Sequence, residues 1–158
     1  MVVGVVLLMI SIQRKRTKRL KRSGITQIDK MDGVQFEHYL GHLFRFQGYK
    51  AEVTQATGDF GADLIVLKEG KRIVVQAKRY SKNVGLKAVQ EVQSARAHYR
   101  ANSAWVVTNS NFTQQAYELA KSNGVRLINR DELIEMLLQM KGKCSVSKKA
   151  NDNVKTSA

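Results

Sequence analysis

The stretch TGDFGADLIVLKEGKRIVVQAKRY, Thr57 to Tyr80, decides how this chain folds. Two apolar runs, LIVL and IVV, flank a short charged segment and read as strands. Glu69-Gly70 between them suits a tight two-residue hairpin turn. A carboxylate, Asp63, precedes the first run, and Gln76-Ala77-Lys78 closes the second. With Glu69 and Gly70 as the loop, Lys68 pairs with Lys71, and counting back along both strands sets Asp63 opposite Gln76. Lys78 falls on the same face, two residues further on, because strand side chains alternate. Cross-strand Cβ atoms lie ~5 Å apart and diagonal ones ~7–8 Å. The pairing therefore predicts that a carboxylate, an amide oxygen and an ammonium share one patch. The plainer alternative is a hairpin with solvated polar ends.

Outward from the hairpin, the pattern alternates between helix and strand. Phe36, Leu40, Leu43 and Phe44 mark one face of a helix from Val34, and Gly48 follows as its C′ residue. Tyr49–Gln55 alternates like a strand. Val84–Tyr99 reads as a second helix with Val84, Ala88, Val92, Ala95 and Tyr99 in one stripe. Ala104–Thr108 is a short buried strand, Phe112–Ser122 a third helix ended by Asn123-Gly124, and Val125–Ile128 a strand. Asp131–Met140 is a last helix, capped near Asn129 or Asp131. The order is α-β-β-β-α-β-α-β-α. It predicts an α/β fold, a mixed sheet flanked by helices.

The predicted patch suits a hard cation. Mg²⁺ prefers oxygen ligands, keeps several waters, and often takes one or two carboxylates, with phosphate oxygens completing its shell. Asp63 and Gln76 supply two oxygens, and the backbone carbonyl between Gln76 and Lys78 a third. Lys78 would orient or deprotonate a water, or steady charge on a phosphate. Such a set fits phosphodiester hydrolysis. Glu37 borders the apolar stripe of the first helix and would reach the metal directly or through water. His38 and His42 lie away from that stripe, lack the HExxH pattern, and read as a solvated pair.

Charge points to a polyanionic partner. The net charge is +14 over 158 residues, with one cysteine and no proline. A disulfide framework is excluded, and a reducing, cytoplasmic compartment is expected. Most of the excess lies in the ends: +7 in residues 1–30 and +4 in residues 141–158, against +3 between them. The first 12 residues, MVVGVVLLMISI, are apolar, and QRKRTKRLKR follows. As a helix they would span about 18 Å, too short alone for a bilayer core of roughly 30 Å. Two readings stay open. One is a short membrane anchor held at the inner face, with residues 1–22 against anionic lipid; the other is a buried or partner-bound segment. The chain thus divides into an apolar segment 1–12, a polybasic linker 13–32, a domain over 33–140, and a basic, disordered tail 141–158.

Several segments together carry a resemblance. They are Phe36-Glu37, Gly48-Tyr49, GDFGAD (58–63), VQAKRY (75–80), VTNSNFTQQA (107–116) and RLINRDEL (126–133). From about Val34 to Leu138 the chain resembles the catalytic domain of Mrr-type restriction endonucleases, in the PD-(D/E)xK superfamily. The resemblance implies a restriction-endonuclease-like sheet and a Mg²⁺-dependent DNA endonuclease of type II or IV character, with Mn²⁺ substituting. It carries over Asp63, Gln76 and Lys78 as the catalytic set with Glu37 assisting, and Asp63, Gln76 and Glu37 as metal ligands. Gly58, Asp59 and Gly61 shape the loop before Asp63. Gln76 stands where the superfamily commonly has an acid, which should weaken metal binding. Asn109, Ser110, Thr113 and Arg79 are candidate DNA contacts; the first three could equally be capping residues. Restriction enzymes of this type usually carry a separate recognition domain, for which the chain has no room, so cleavage is implied more strongly than sequence-specific restriction. A cut through both strands would need two sites and hence a homodimer. The alternative is a catalytically inactive nucleic-acid-binding module of the same fold.

Overall fold

The computed structural model describes residues 6, 7, 9–12, 24–54 and 60–155, with side chains through residue 142. One five-stranded sheet runs in sequence order: β1 (Lys50–Val53), β2 (Leu64–Lys68), β3 (Lys71–Lys78), β4 (Ser103–Thr108) and β5 (Val125–Ile128). The first three strands are antiparallel, and β3, β4 and β5 are parallel. Helix α1 (Gly33–Phe46) precedes the sheet, α2 (Lys87–His98) joins β3 to β4, α3 (Gln114–Asn123) joins β4 to β5, and α4 (Arg130–Lys155) follows. This is the element order expected from the sequence.

The turn sets the register. Glu69 and Gly70 both take positive φ, 52° and 74°, as a type I′ turn requires. Lys68 consequently pairs with Lys71, and the ladder continues to Leu64 opposite Val75. Parallel strands cannot be joined by a tight turn, so α2 and α3 supply the crossovers.

Alternation along the strands feeds two cores. Leu64, Val66, Ile73, Val75, Trp105 and Val107 face α1 and α4, where they meet Phe36, Leu40, Leu43, Phe44, Leu133 and Leu137. Val74, Ala104 and Val106 face the other way, toward Ala88, Val89, Val92 and Ala95 of α2 and Ala116 and Ala120 of α3. Local signals fix the helix ends. Asp32 Oδ1 accepts from the Gln35 N–H while Gln35 Oε1 accepts from the Asp32 N–H, a capping box at the start of α1. Gly124, at φ 63°, ends α3. Asn129 Oδ1 accepts the Glu132 N–H at the start of α4.

Three segments differ from the sequence reading. Residues 24–29, read as linker, are helical, and Ile25 and Ile28 are buried in the first core. Val84 does not begin α2; it forms a parallel bridge with Phe112, and the helix starts at Lys87. The tail read as disordered is helical to Lys155, as a continuation of α4. Of the apolar N-terminus, the described residues 6, 7 and 9–12 are helical and exposed. Among the described residues no helix is long and apolar enough to cross a membrane.

Candidate active site

Asp63 lies where β1, β2 and β3 meet, and its backbone is held from both sides. Its carbonyl accepts the Thr54 N–H at 2.9 Å, and its N–H donates to Val75 O at 2.8 Å. The Thr54 hydroxyl adds a 2.6 Å bond to Ala62 O. The bond to Thr54 continues the β1–β2 register, but the bond to Val75, already the partner of Leu64, steps out of the β2–β3 register as at a β-bulge. The backbone ladder thus ends at Leu64, one residue short of the sequence count, and it is the side chains that bring Asp63 to Gln76.

The side chains close the arrangement. Gln76 Nε2 and the Ala77 N–H both donate to Asp63 Oδ2, each at 2.7 Å. Asp63 is 8% exposed and Gln76 5%. Because Nε2 is committed to the carboxylate, Gln76 Oε1 is the other end of the amide, and it is buried without a hydrogen-bond partner. A buried orphan acceptor is costly. An oxygen-seeking cation beside the Asp63 carboxylate would satisfy it, so this donor set fits a hard divalent ion. Among the described residues no three His, Cys, Asp or Glu side chains converge. Asp63 and Gln76 would thus need water and substrate oxygens to complete a shell, as Mg²⁺ tolerates.

Lys78 ends β3 on the same side of the sheet as Gln76, the side that α2 covers. Its ammonium lies 2.9 Å from Glu91 Oε2 on α2. The Thr108 hydroxyl donates to Lys78 O at 2.7 Å and accepts the Ser110 N–H at 3.1 Å, fixing the strand end. Glu37 belongs to the helix on the opposite face. Gly41, one turn later, packs near Val53 and Leu64. Glu37 is therefore displaced toward the sheet end that carries Asp63, where it is half-buried. His38 and His42 are exposed. Gly58 and Asp59 lie outside the described residues. Gly61 takes φ 88°, and a Cβ there would lie 2.5 Å from the Glu91 carbonyl oxygen. Only glycine fits that approach.

Of the candidate DNA contacts, Arg79, Asn109 and Ser110 line a polar recess of about 370 Å³ with Tyr80, Asp29 and Arg130. Asn109 is 3% exposed. Its amide is used inside the protein, accepting from Tyr80 N and donating to Asp29 Oδ1, both at 2.8 Å. Thr113 caps α3 through its hydroxyl, which accepts the Ala116 N–H. Asp29 was not singled out from the sequence. Arg130 grips it through both carboxylate oxygens at 2.8 Å, and Arg79 donates to its carbonyl at 3.0 Å. The Arg130 hydrogen bonds hold the Asp29 carboxyl below its ordinary range against the opposing effect of burial, and Asn109 adds to the lowering.

The family follows from a direct match. The Mrr_cat family model, described as restriction endonuclease, matches residues 28–137. The chain belongs to this restriction endonuclease family. The match begins at Ile28, inside the short helix that the sequence reading took for linker. Within the family's reach, the type IV methyl-directed restriction enzyme EcoKMrr of Escherichia coli (strain K12) is 28% identical over 104 residues, covering 62% of this chain and 34% of that protein. The chain thus spans about a third of the length of that curated relative. The DNA modification-dependent restriction endonuclease AspBHI superposes with a TM-score of 0.63 at 24% identity, over 78% of this chain and 36% of that one. The MspJI restriction endonuclease, solved in complex with a 27-mer oligonucleotide, gives 0.52 at 20% identity, over 76% and 30%. The mixed sheet flanked by helices is a restriction-endonuclease fold.

Proposed function

We propose that this domain is a Mg²⁺-dependent endonuclease that hydrolyses phosphodiester bonds in DNA. The observation that carries the proposal is the buried, unpartnered Gln76 Oε1, on the amide whose Nε2 meets the Asp63 carboxylate, with the Lys78 ammonium on the same side of the sheet. Asp63 and Gln76 Oε1 would hold the ion, with Glu37 reaching it through water from the end of the sheet. A bound Mg²⁺ supplies Lewis-acid stabilisation of charge on the phosphoryl oxygens. The protein's own groups do the rest. Asp63 is fixed at backbone and side chain, so it presents its charge without rearrangement. Lys78 sets a positive charge against the phosphate as a water oxygen bonds to phosphorus and the bond to the leaving sugar oxygen breaks. Arg79 and Ser110, one residue beyond Lys78 and just past the end of β4, would meet a flanking phosphate.

The names of EcoKMrr and AspBHI point to modified DNA as the substrate to try first. Residues 1–22 would dock on an anionic membrane surface, and a double-strand cut would call for a homodimer. Incubation with methylated, unmethylated, branched and single-stranded DNA in Mg²⁺ or Mn²⁺ tests the reading. Metal-dependent cleavage that disappears in folded Asp63→Ala and Lys78→Ala proteins is the expected result. Cleavage that survives both substitutions would refute it. A second reading, a DNA-binding module without turnover, is favoured by one observation: Asp63 Oδ2 already accepts two N–H donors. Calorimetry that detects no Mg²⁺ binding with or without DNA would select it.

A further inference from the structure

We infer that Glu91 is a positioning residue for the site, aiming the Lys78 ammonium and anchoring the loop that delivers Asp63; the inference rests on the nuclease reading. Two independent contacts meet at this one residue. Its side chain takes Lys78 Nζ at 2.9 Å from Oε2. Its backbone carbonyl is the surface against which Gly61 packs, so closely that a Cβ at 61 would lie 2.5 Å from it. Asp63 follows Gly61 by two residues. One residue of α2 therefore touches both Lys78 and the loop segment that leads into Asp63.

The chemistry explains why such a residue is needed. Lysine has a flexible four-carbon stem, and leaving it free to rotate costs alignment. Lys78 is the last residue of β3, so the strand fixes its Cα but not its ammonium. Glu91 fixes the other end from a helix whose Ala88, Val89, Val92 and Ala95 are buried in the second core. The pair is mostly covered, at 20% and 31% side-chain exposure, and so escapes much of the screening that weakens surface ion pairs. Lys87 lies 4.0 Å from the other carboxylate oxygen but is 86% exposed, and it competes little for Glu91. The contribution of Glu91 is direction: it restricts where the positive charge sits relative to the Asp63 carboxylate.

The test compares the full chain with Glu91→Gln, Glu91→Asp and, as a control on the surface pair, Lys87→Ala. Two readouts are taken: kcat and KM for DNA cleavage in Mg²⁺, and the rate of Lys78 acetylation by acetic anhydride, followed by peptide mass spectrometry. The backbone contact to Gly61 is untouched by these changes, so the variants should fold. Glu91→Gln is expected to lower kcat about 10- to 100-fold, the scale of a displaced catalytic group, with KM within about threefold. Glu91→Asp should recover part of that loss, and Lys87→Ala should match the parent. Lys78 acetylation should rise several-fold in Glu91→Gln. An unchanged or increased kcat in Glu91→Gln overturns the inference, the increase because it would mean that the pair withholds the amine. A rise in KM alone also overturns it. If the parent cuts no DNA under any condition, the nuclease reading fails by itself. The acetylation rate then decides the positioning claim, and equal rates in parent and Glu91→Gln reject it.

Discussion

Gln76 Nε2 donates to Asp63 Oδ2 at 2.7 Å across the β2–β3 hairpin. The Ala77 N–H donates to the same oxygen, so Asp63 Oδ2 is a structural acceptor as well as a charge. An amide oxygen at position 63 could accept both bonds, but it would bring no negative charge. Asp63→Asn should therefore leave the melting temperature within about 3 °C of the parent, the response to a change of ~1 kcal/mol in a domain of this size. Cleavage should fall at least ~100-fold, as for loss of a group that acts through charge. Thermal melts and single-turnover cleavage on the same preparation check both halves. Full activity in Asp63→Asn would remove Asp63 from the site.

Gln76→Glu places a second carboxylate within hydrogen-bond distance of the first. Without metal, two such groups resist ionising together, and the pair's upper pKa is raised above the unfolded value of ~4.3. The folded form then binds more protons than the unfolded form, so the metal-free variant loses stability as pH rises through that raised value. Relative to the parent, it should be less stable at pH 7.5 than at pH 5. Added Mg²⁺ or Mn²⁺ should restore it more than it stabilises the parent, because the cation relieves the repulsion. Melting curves at both pH values with a metal titration measure this. Equal metal stabilisation of parent and variant would place the cation elsewhere.

Gly61→Ala tests the close approach to α2. The substitution meets a positive φ and a carbonyl oxygen at 2.5 Å from the new Cβ. Strain of this kind costs about 1–3 kcal/mol, and displacement of the loop should lower cleavage as well. Gly70→Ala is the matched control, since it shares the positive φ but a Cβ there meets nothing within 4 Å. Chemical denaturation of both variants separates backbone strain from the contact with Glu91. Equal losses in the two variants would mean that the contact contributes nothing.

Much of the fold could be read because short-range signals agreed. Glu69-Gly70 dictated a two-residue turn, that turn dictated the register as far as Leu64 and Val75, and the Asp63 side chain just beyond it reaches Gln76 thirteen residues away. The small-residue stripe of α2 and the Asn123-Gly124 stop gave the crossovers. What escaped depends on tertiary contact. Ile25 and Ile28 offer only one i, i+3 pair in a single short helix, too little periodicity to distinguish from linker, although the capping box at Asp32 and Gln35 marks where the next helix begins. Glu91 sits in VQEV beside the stripe and reads as a solvated helix acid until the fold brings Lys78 to it. Asp29 and Arg130 are about a hundred residues apart in sequence, and no local pattern pairs them. The first three residues of Val84–Tyr99 misled because Val84 continues the helical spacing by coincidence; the Val84 N–H and carbonyl bond instead to Asn111 and Thr113.

Deleting residues 1–22 separates membrane docking from cleavage. Seven basic residues stand between positions 14 and 22, each contributing about 1 kcal/mol near an anionic surface. The full chain should bind vesicles containing phosphatidylglycerol at low salt and lose much of that binding as the Debye length falls toward ~8 Å at physiological ionic strength. The deletion should abolish vesicle binding and leave kcat for DNA unchanged. Vesicle co-sedimentation and a cleavage assay run side by side decide it, and undiminished sedimentation of the deletion would rule out docking through this segment.

The Asp29–Arg130 pair ties the short N-terminal helix to the start of α4, and its pH dependence follows from the lowered Asp29 pKa. Hydrogen bonds from Arg130 are the main cause of the lowering, with Asn109 and the charges of Arg130 and Arg79 adding to it. A depressed folded pKa means that the unfolded chain binds the proton more readily. The stability from ionised Asp29 is therefore fully present above the unfolded value of ~3.9 and is lost as pH falls through the lowered folded value. Both side chains are about a third exposed, at 35% for Asp29 and 34% for Arg130. Solvent screening then limits the increment to about 1 kcal/mol. Asp29→Asn should be less stable than the parent by that amount at pH 6, and the two should converge toward pH 2.5. Hydrogen exchange should localise the loss to residues 24–30, because Ile25 and Ile28 enter the core from that segment. A stability difference that stays constant from pH 6 to pH 2.5 would mean that packing, and not the Asp29 charge, holds the segment in place.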